Sequence, residues 1–252
     1  MATMHRFFVA PTAIHGDTVA LDAPTAHQLR EVLRLGPGAD IIVLDGSGRE
    51  YRVAITHLSR TGAQGHIVSQ APGAGEPRTH ITLYQAALKG EKFEWLLQKG
   101  AEIGISRFAP LLAQRCVTHD RSSLDKKADR WRRIIQEAAE QARRARVPAL
   151  AAPINLAEAC QQAAVEAGLA LFLWESAPGR GLKEILQAWQ SSAAANGRIS
   201  LFVGPEGGFA ESEAALAEAS GARVIGLGPR ILRAETAGLA AAAAILYELG
   251  DM

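Results

Sequence analysis

The sequence predicts a mixed α/β protein in two domains: a small β-rich unit over residues 1–72, then a mostly parallel sheet with helices on both faces over residues 78–252. Three observations predict it. After residue 78, apolar strand-like runs alternate with amphipathic helical runs, the pattern of a parallel sheet covered on both sides. Before residue 72 the runs are short, β-branched and punctuated by Gly, Asp and Ser. Between them, Gln70-Ala-Pro-Gly-Ala-Gly-Glu-Pro77 is the one linker-like shift in composition.

In the first domain, strands are expected at His5–Val9, Ile41–Asp45, Tyr51–Leu58 and Gln64–Ser69, with Asp45-Gly-Ser-Gly48 as a hairpin loop. Together they imply a small barrel. One helix interrupts them. Thr25 can cap it, Leu29, Val32 and Leu33 supply its apolar face, and Arg30 and Arg34 share the other side. The second domain reads as strand His80–Leu88, helix Glu91–Ile103, strand Arg107–Leu112, helix Asp125–Arg146, helix Leu156–Ala167 and strand Leu169–Trp174. Helix Leu182–Ser192, strand Ile199–Val203, helix Glu211–Ala219, strand Arg223–Leu227 and helix Ala234–Leu249 complete it.

Composition narrows the function classes. At 252 residues, 48% hydrophobic and 21% charged, the chain can bury a real core. No apolar run reaches the roughly 18 residues of a membrane span, and the N-terminus lacks a secretion signal's apolar stretch. Cys116 and Cys160 are alone and far apart, so neither a disulfide frame nor a metal site is expected. A cytoplasmic protein follows. The net charge of +1 hides an asymmetry: residues 79–146 carry 14 basic against 8 acidic side chains, and residues 147–252 carry 6 against 11. Cationic charge concentrated in the middle third points to a polyanion, nucleic acid above all.

The candidate chemistry lies in Leu201-Phe-Val-Gly-Pro-Glu-Gly-Gly-Phe209 and Ile225-Gly-Leu-Gly-Pro-Arg-Ile-Leu-Arg-Ala-Glu-Thr-Ala237. Each is a short strand that breaks into Gly and Pro and hands over to a helix. Glycine lets backbone come close to a ligand, and Pro205 and Pro229 stiffen the turns. Loops at the carboxyl ends of neighbouring strands line the crevice where open α/β sheets bind ligands. Glu206 either caps backbone amides or meets the ligand. Arg233 and Glu235, where the last helix begins, are either reacting groups or a helix cap. Lys89, in Lys89-Gly-Glu-Lys92, is either an ordinary turn lysine or a cation presented into the crevice. Glu102 near a helix C-terminus calls for a partner such as an arginine. The arginines that end Gln141-Ala-Arg-Arg-Ala-Arg-Val-Pro148 divide between salt bridges and phosphate contacts. A P-loop and a G-x-G-x-x-G after a strand are both absent, which disfavours a nucleotide-binding enzyme.

Gly204-Pro-Glu-Gly-Gly208 followed by Leu227-Gly-Pro-Arg-Ile-Leu-Arg-Ala-Glu-Thr-Ala237 resembles the SPOUT superfamily of S-adenosylmethionine-dependent RNA methyltransferases. His5-Arg-Phe-Phe, the Leu29–Gly38 run, Lys89-Gly-Glu-Lys92, Lys99-Gly-Ala-Glu-Ile-Gly104, Gln114-Arg-Cys116 and Glu140–Pro148 resemble its RsmE branch, which methylates N3 of a uridine in 16S ribosomal RNA of the small subunit. Ala234 departs from the family pattern, which more often has Thr there. The resemblance implies a trefoil-knotted methyltransferase domain, a PUA-like barrel that helps hold RNA, and a homodimer formed through the knot domain. It implies S-adenosyl-L-methionine held by Leu173, Trp174, Gly204, Glu206, Gly207, Gly208, Leu227, Gly228, Ile231, Leu232 and Ala237. Catalysis is expected from Arg233 and Glu235, and RNA contacts from Arg6, Arg30, Arg34, Lys89, Arg144 and Arg146. The alternatives are a methyltransferase on another RNA, or a cofactor-free RNA-binding module of the same fold.

Overall fold

The computed structural model describes residues 4–166, 168–177, 181–192 and 195–252. It divides into two compact units. One runs to Glu76 and takes in Ala139–Val147, and the other comprises Pro77–Ala138 and Pro148–Met252.

In the first unit, β1 (Arg6–Phe8), β2 (Ile14–His15), β3 (Thr18–Leu21), β4 (Asp40–Leu44), β5 (Arg49–Leu58) and β6 (Ala63–Pro72) form one sheet in the order β1-β4-β5-β6-β3-β2. Only β1 and β4 run parallel. Phe7, Leu29, Ile41, Val43, Val53 and Ile55 build its core. The expected helix differs in its start and its face. Asp22, not Thr25, is the cap: its Oδ1 accepts from the Thr25 N–H at 2.9 Å, and α1 spans Ala23–His27. The chain then widens into a π-helical turn over Gln28–Val32. That extra residue per turn shifts the register, so Leu29 stays buried while Val32 turns outward, 66% exposed. β2 and β3 escape a periodicity reading because two and four residues are too few to show one.

The second unit carries β7 (His80–Ala86), α2 (Lys92–Ile103), β8 (Arg107–Leu112), α3 (Arg121–Asp125), most of α4 (Ala128–Gln141, its last three residues falling in the first unit), β9 (Ala149–Leu150), β10 (Ile154–Asn155) and α5 (Leu156–Val165). β11 (Leu169–Leu173), α6 (Leu182–Gln190), β12 (Arg198–Val203), α7 (Glu211–Ala219), β13 (Arg223–Ile225) and α8 (Ala234–Glu248) follow. Ala167, the expected last residue of α5, lies outside the described residues. The sheet order is β10-β8-β7-β12-β11-β13, with β9 also on β8, and every recorded pairing is parallel. Tyr84, Phe202 and Phe172 step through the core, with Tyr84 and Phe202 stacked at 4.6 Å. α8 can lie close to the sheet because a Cβ at Gly238 would already sit 3.3 Å from Leu83 Cδ1 and 3.4 Å from Val203 Cγ2. Among the described residues, no helix is long and apolar enough to cross a membrane.

The helix expected over Asp125–Arg146 is shorter, α4 at Ala128–Gln141, and a separate short helix, α3, lies just before it. α3 is capped by Asp120, whose Oδ1 accepts from the Ser122 N–H at 2.9 Å, and α4 keeps the expected stripe, with Trp131 and Ile135 buried. Trp131 packs on Phe93 at 4.5 Å. α4 ends early because Arg143 takes a left-handed conformation, φ 61°. The Ala145 and Arg146 N–H groups then donate to Glu76 Oε1, both at 3.0 Å, instead of to helix carbonyls.

Candidate active site

Strand register places the site. Leu173 at the end of β11 pairs with Val203 of β12 on one side and with Ile225 of β13 on the other. Three neighbouring strands therefore end level, and each releases a loop on the same edge. Between those loops lies a cavity of about 570 Å³, walled by residues 173–175, 203–206, 208–209 and 225–235, with Ala237 and Lys92. Cavities for small ligands and cofactors run about 300–1,000 Å³.

The loop after β12 is tied down from behind. Gly204 and Pro205 are buried, and Gln85 Nε2 donates to the Gly204 carbonyl at 3.2 Å. Arg115 Nη1 donates to the Gly207 carbonyl at 2.9 Å. The Gly208 N–H closes a turn onto the Pro205 carbonyl at 2.9 Å, with φ at 66°, a left-handed conformation that favours glycine. Phe209 then plugs inward and stacks on Phe172 at 4.1 Å. Glu206 accepts from the Lys89 backbone N–H at 3.0 Å, and Lys92 Nζ stands 3.5 Å from the same oxygen. Partial burial acts to raise the Glu206 carboxyl, but these donors and the Lys92 charge outweigh it, and the group titrates below its ordinary 4.5.

The loop after β13 is open by contrast. Gly228 turns at φ 92° with nothing within 4 Å of where a Cβ would sit. Arg230 and Ile231 are exposed, Ile231 to 83%. Arg233 occupies the N-cap position of α8 without a side-chain cap bond, while its carbonyl accepts from the Thr236 and Ala237 N–H groups at 2.8 and 2.9 Å. Its guanidinium has no recorded ion pair among the described residues. Glu235, in the first turn, does not cap the helix. Its Oε1 lies 3.3 Å from Lys92 Nζ, and its Oε2 is enclosed without a hydrogen-bond partner.

The structure brings Leu173, Trp174, Gly204, Glu206, Gly208, Leu227, Gly228, Ile231, Leu232 and Ala237 to one cavity, together with Arg233 and Glu235. Gly207 is the exception among the expected cofactor residues. It is not part of the lining, and a Cβ there would meet Arg115 Cβ at 3.3 Å. The expected cations fare unevenly. Arg144 is corrected: it is buried, and its guanidinium grips Glu76 at 2.9 and 3.3 Å, so it holds a turn and presents no charge. Arg6 is likewise engaged by Glu50, with its side chain 11% exposed. Arg30 pairs with Glu31 at 2.7 Å, and Arg146 donates to the Ser47 carbonyl at 3.1 Å while staying exposed. Arg34 is exposed at φ 54°, and Lys89 is exposed at its turn. The β7–α2 turn sends Lys92, not Lys89, to the cavity. Glu102 finds a lysine in place of the expected arginine, Lys99 at 2.8 Å. Sequence reasoning missed Lys92, Glu175, Gln85 and Arg115. Lys92 alone had a signal, as the second cation of the Lys89–Lys92 motif, at the start of a helix.

Comparison with known proteins gives this geometry a family. A family model described as an RNA methyltransferase domain matches residues 75–246, and one described as an RNA methyltransferase PUA domain matches residues 21–68. The ribosomal RNA small subunit methyltransferase E of Synechocystis is 35% identical over 241 residues, 96% of this chain and 77% of its own. The protein of that name from Bacillus subtilis is 29% identical over 249 residues, covering 97% of each chain. Among solved structures, the ribosomal RNA small subunit methyltransferase E of Neisseria gonorrhoeae, bound to S-adenosyl methionine, superposes with a TM-score of 0.86 at 31% identity, over 97% of this chain and 98% of that one. A methyltransferase from Legionella pneumophila, in complex with the same cofactor, gives 0.84 at 29% identity, over 98% of each chain. By the extent of the domain match and by its similarity to these relatives, the chain belongs to the ribosomal RNA small subunit methyltransferase E family.

Proposed function

We propose that this protein transfers a methyl group from S-adenosylmethionine to N3 of a uridine in 16S ribosomal RNA of the small subunit, and that the cavity at the ends of β11, β12 and β13 is where it does so. One observation carries the reading: three strand ends in register open onto a cavity rimmed by glycine and proline backbone, in a chain of this family. The Neisseria and Legionella proteins, crystallised with S-adenosyl methionine, support it.

The residues present fit that cofactor. Gly204, Gly208 and Gly228 leave the rim free of side chains, so backbone amides can meet an adenine edge. Leu173, Leu227, Leu232 and Ala237 supply apolar wall, and Glu206 and Glu175 put carboxylates beside a ligand that carries positive charge. When bound, S-adenosylmethionine supplies an electrophilic methyl group on a sulfonium. The chain must hold the uracil in line with that methyl and keep water out, and such alignment is worth about 7–11 kcal/mol at its best. Uridine N3 carries a proton at neutral pH. Its loss leaves negative charge on the two flanking carbonyl oxygens, which the Arg233 guanidinium stabilises by donating to them. Glu235 accepts the proton.

In the same reading, residues 1–72 are the RNA-holding PUA domain and residues 78–252 the knotted methyltransferase domain. The protein acts in the cytoplasm as a homodimer through that domain. Arg34, Arg146 and Lys89 are its exposed cations for phosphate. The test pairs R233A with E235Q on unmethylated small ribosomal subunits. Each should lower methyl transfer by about 100-fold or more, while a calorimetric titration with S-adenosylmethionine keeps near wild-type affinity. Near wild-type turnover in both variants would remove these roles. No cofactor binding by the wild type would remove the function.

A further inference from the structure

Lys92 stands in the cavity wall with a carboxylate on either side: Glu206 Oε1 at 3.5 Å and Glu235 Oε1 at 3.3 Å. The two come from different segments, Glu206 from the loop after β12 and Glu235 from the first turn of α8, and Lys92 comes from a third, the first turn of α2. Lys92 gives Glu235 its one recorded polar contact from a side chain among the described residues. The Glu235 side chain is 13% exposed, its Oε2 is enclosed without a donor, and Lys92 is the only cation recorded within bridging distance of it among the described residues. Glu206 is held independently by the Lys89 N–H, so it fixes one side of the ammonium and leaves the other for Glu235. An acceptor oxygen enclosed without a donor is a costly arrangement in a folded protein, and a ligand N–H relieves it.

We propose that Lys92 is a positioning residue for the methyl transfer: its ammonium, anchored on Glu206, sets the Glu235 carboxylate where it can take the proton from the nucleobase. The inference rests on the function proposed above, in which Glu235 is the base. A base displaced by about 1 Å can lose on the order of 100-fold in rate, so the effect belongs to kcat. Lys92 lines the cavity but belongs to neither the glycine rim nor the apolar wall, which supply most of the cofactor contact, so removing its charge should change cofactor affinity little.

The experiment measures kcat, KM for small subunits and Kd for S-adenosylmethionine in the wild type, K92M, K92R, E235Q and the K92M/E235Q double variant. K92M should lose roughly 10- to 100-fold in kcat with cofactor Kd within about threefold of wild type, and K92R should recover most of the loss because it restores the charge. In the E235Q background, K92M should change kcat by less than about twofold, since a residue acting through Glu235 has nothing left to position. Four results overturn the proposal while leaving the function standing. They are K92M within about twofold of wild-type kcat, a loss that K92R does not recover, a loss confined to cofactor affinity, and a full additional loss in the double variant. A wild type that neither binds the cofactor nor methylates subunits overturns the function itself.

Discussion

The two glycine-proline loops read alike in the sequence, yet the structure treats them differently. The loop after β12 is held from behind by Gln85, Arg115 and the Lys89 N–H, and it ends in a buried aromatic plug, Phe209. The loop after β13 turns through open space, with Gly228, Pro229, Arg230 and Ile231 exposed. Among the described residues, no side-chain hydrogen bond reaches residues 226–232. One wall of the cavity is thus preformed by the fold, and the other is free to be shaped by what it binds. A ligand's ordering cost falls on the second wall, and so does its capacity to adapt.

The sharpest way to break that contrast is to remove the plug. Phe209→Ala empties a site that is 3% exposed and stacked on Phe172. Such truncations cost about 3–5 kcal/mol, and cofactor binding should fall with them because Gly208 precedes the plug directly. Urea unfolding of the two proteins measures it. A loss under about 1 kcal/mol would mean that the first loop is no better anchored than the second.

Why the sequence shows one half of this contrast and hides the other is a matter of range. The strand runs Arg107–Leu112 and the helix Glu211–Ala219 are legible because their signals are local: a continuous apolar run, and a periodic face between glycines. The glycines and prolines of both loops are legible for the same reason, since each residue type carries its own backbone preference. What anchors the loops is not local. Gln85 reaches Gly204 across 119 positions, Lys89 reaches Glu206 across 117 and Arg115 reaches Gly207 across 92. Nothing in the residues flanking Gln85 marks it as a partner of a distant turn. Arg144 shows the converse error. A run of arginines at a helix end suggests phosphate, but Glu76, 68 positions upstream, folds back to neutralise it. The two glycine-proline loops point to the cavity from the sequence alone, but which cations were already paired with carboxylates depends on contacts far apart along the chain.

A smaller effect separates space from backbone strain. At Gly204 a Cβ would stand 3.1 Å from the Phe209 backbone nitrogen and 3.2 Å from the Gly208 carbonyl carbon, neither of which can give way cheaply. At Gly228 there is room, but φ is 92°. Gly228→Ala should therefore cost about 1–2 kcal/mol through conformation alone, and the cofactor should restore part of it. Gly204→Ala should cost at least as much and keep its deficit when cofactor is present. Thermal unfolding with and without S-adenosylmethionine tests the pair, and equal rescue of both variants would show that the loops share one mechanical character.

Ile231→Ala should leave stability almost untouched, within about 0.5 kcal/mol, because the side chain is 83% exposed. It should weaken cofactor binding by a few fold, since the residue lies in the cavity lining. A stable variant with unchanged affinity would mean that this exposed side chain serves another surface.

The smallest effect lies in the tether of the first loop and is read through pH. The Glu206 carboxyl titrates below 4.5 in the folded protein, partial burial opposing the shift and the Lys89 N–H and Lys92 charge outweighing it. A group whose folded value is depressed contributes stability above its unfolded value and loses it as pH falls through the folded one. Wild type should therefore lose slightly more stability than E206Q as pH falls from neutral to below 4.5. The gap should stay under about 1 kcal/mol because solvent screens the pair. Parallel urea titrations of the two proteins across that range decide it. Curves that remain parallel would mean that Glu206 is as weakly engaged as the side chains of the open loop, and the asymmetry between the two walls would then rest on Gln85, Arg115 and Phe209 alone.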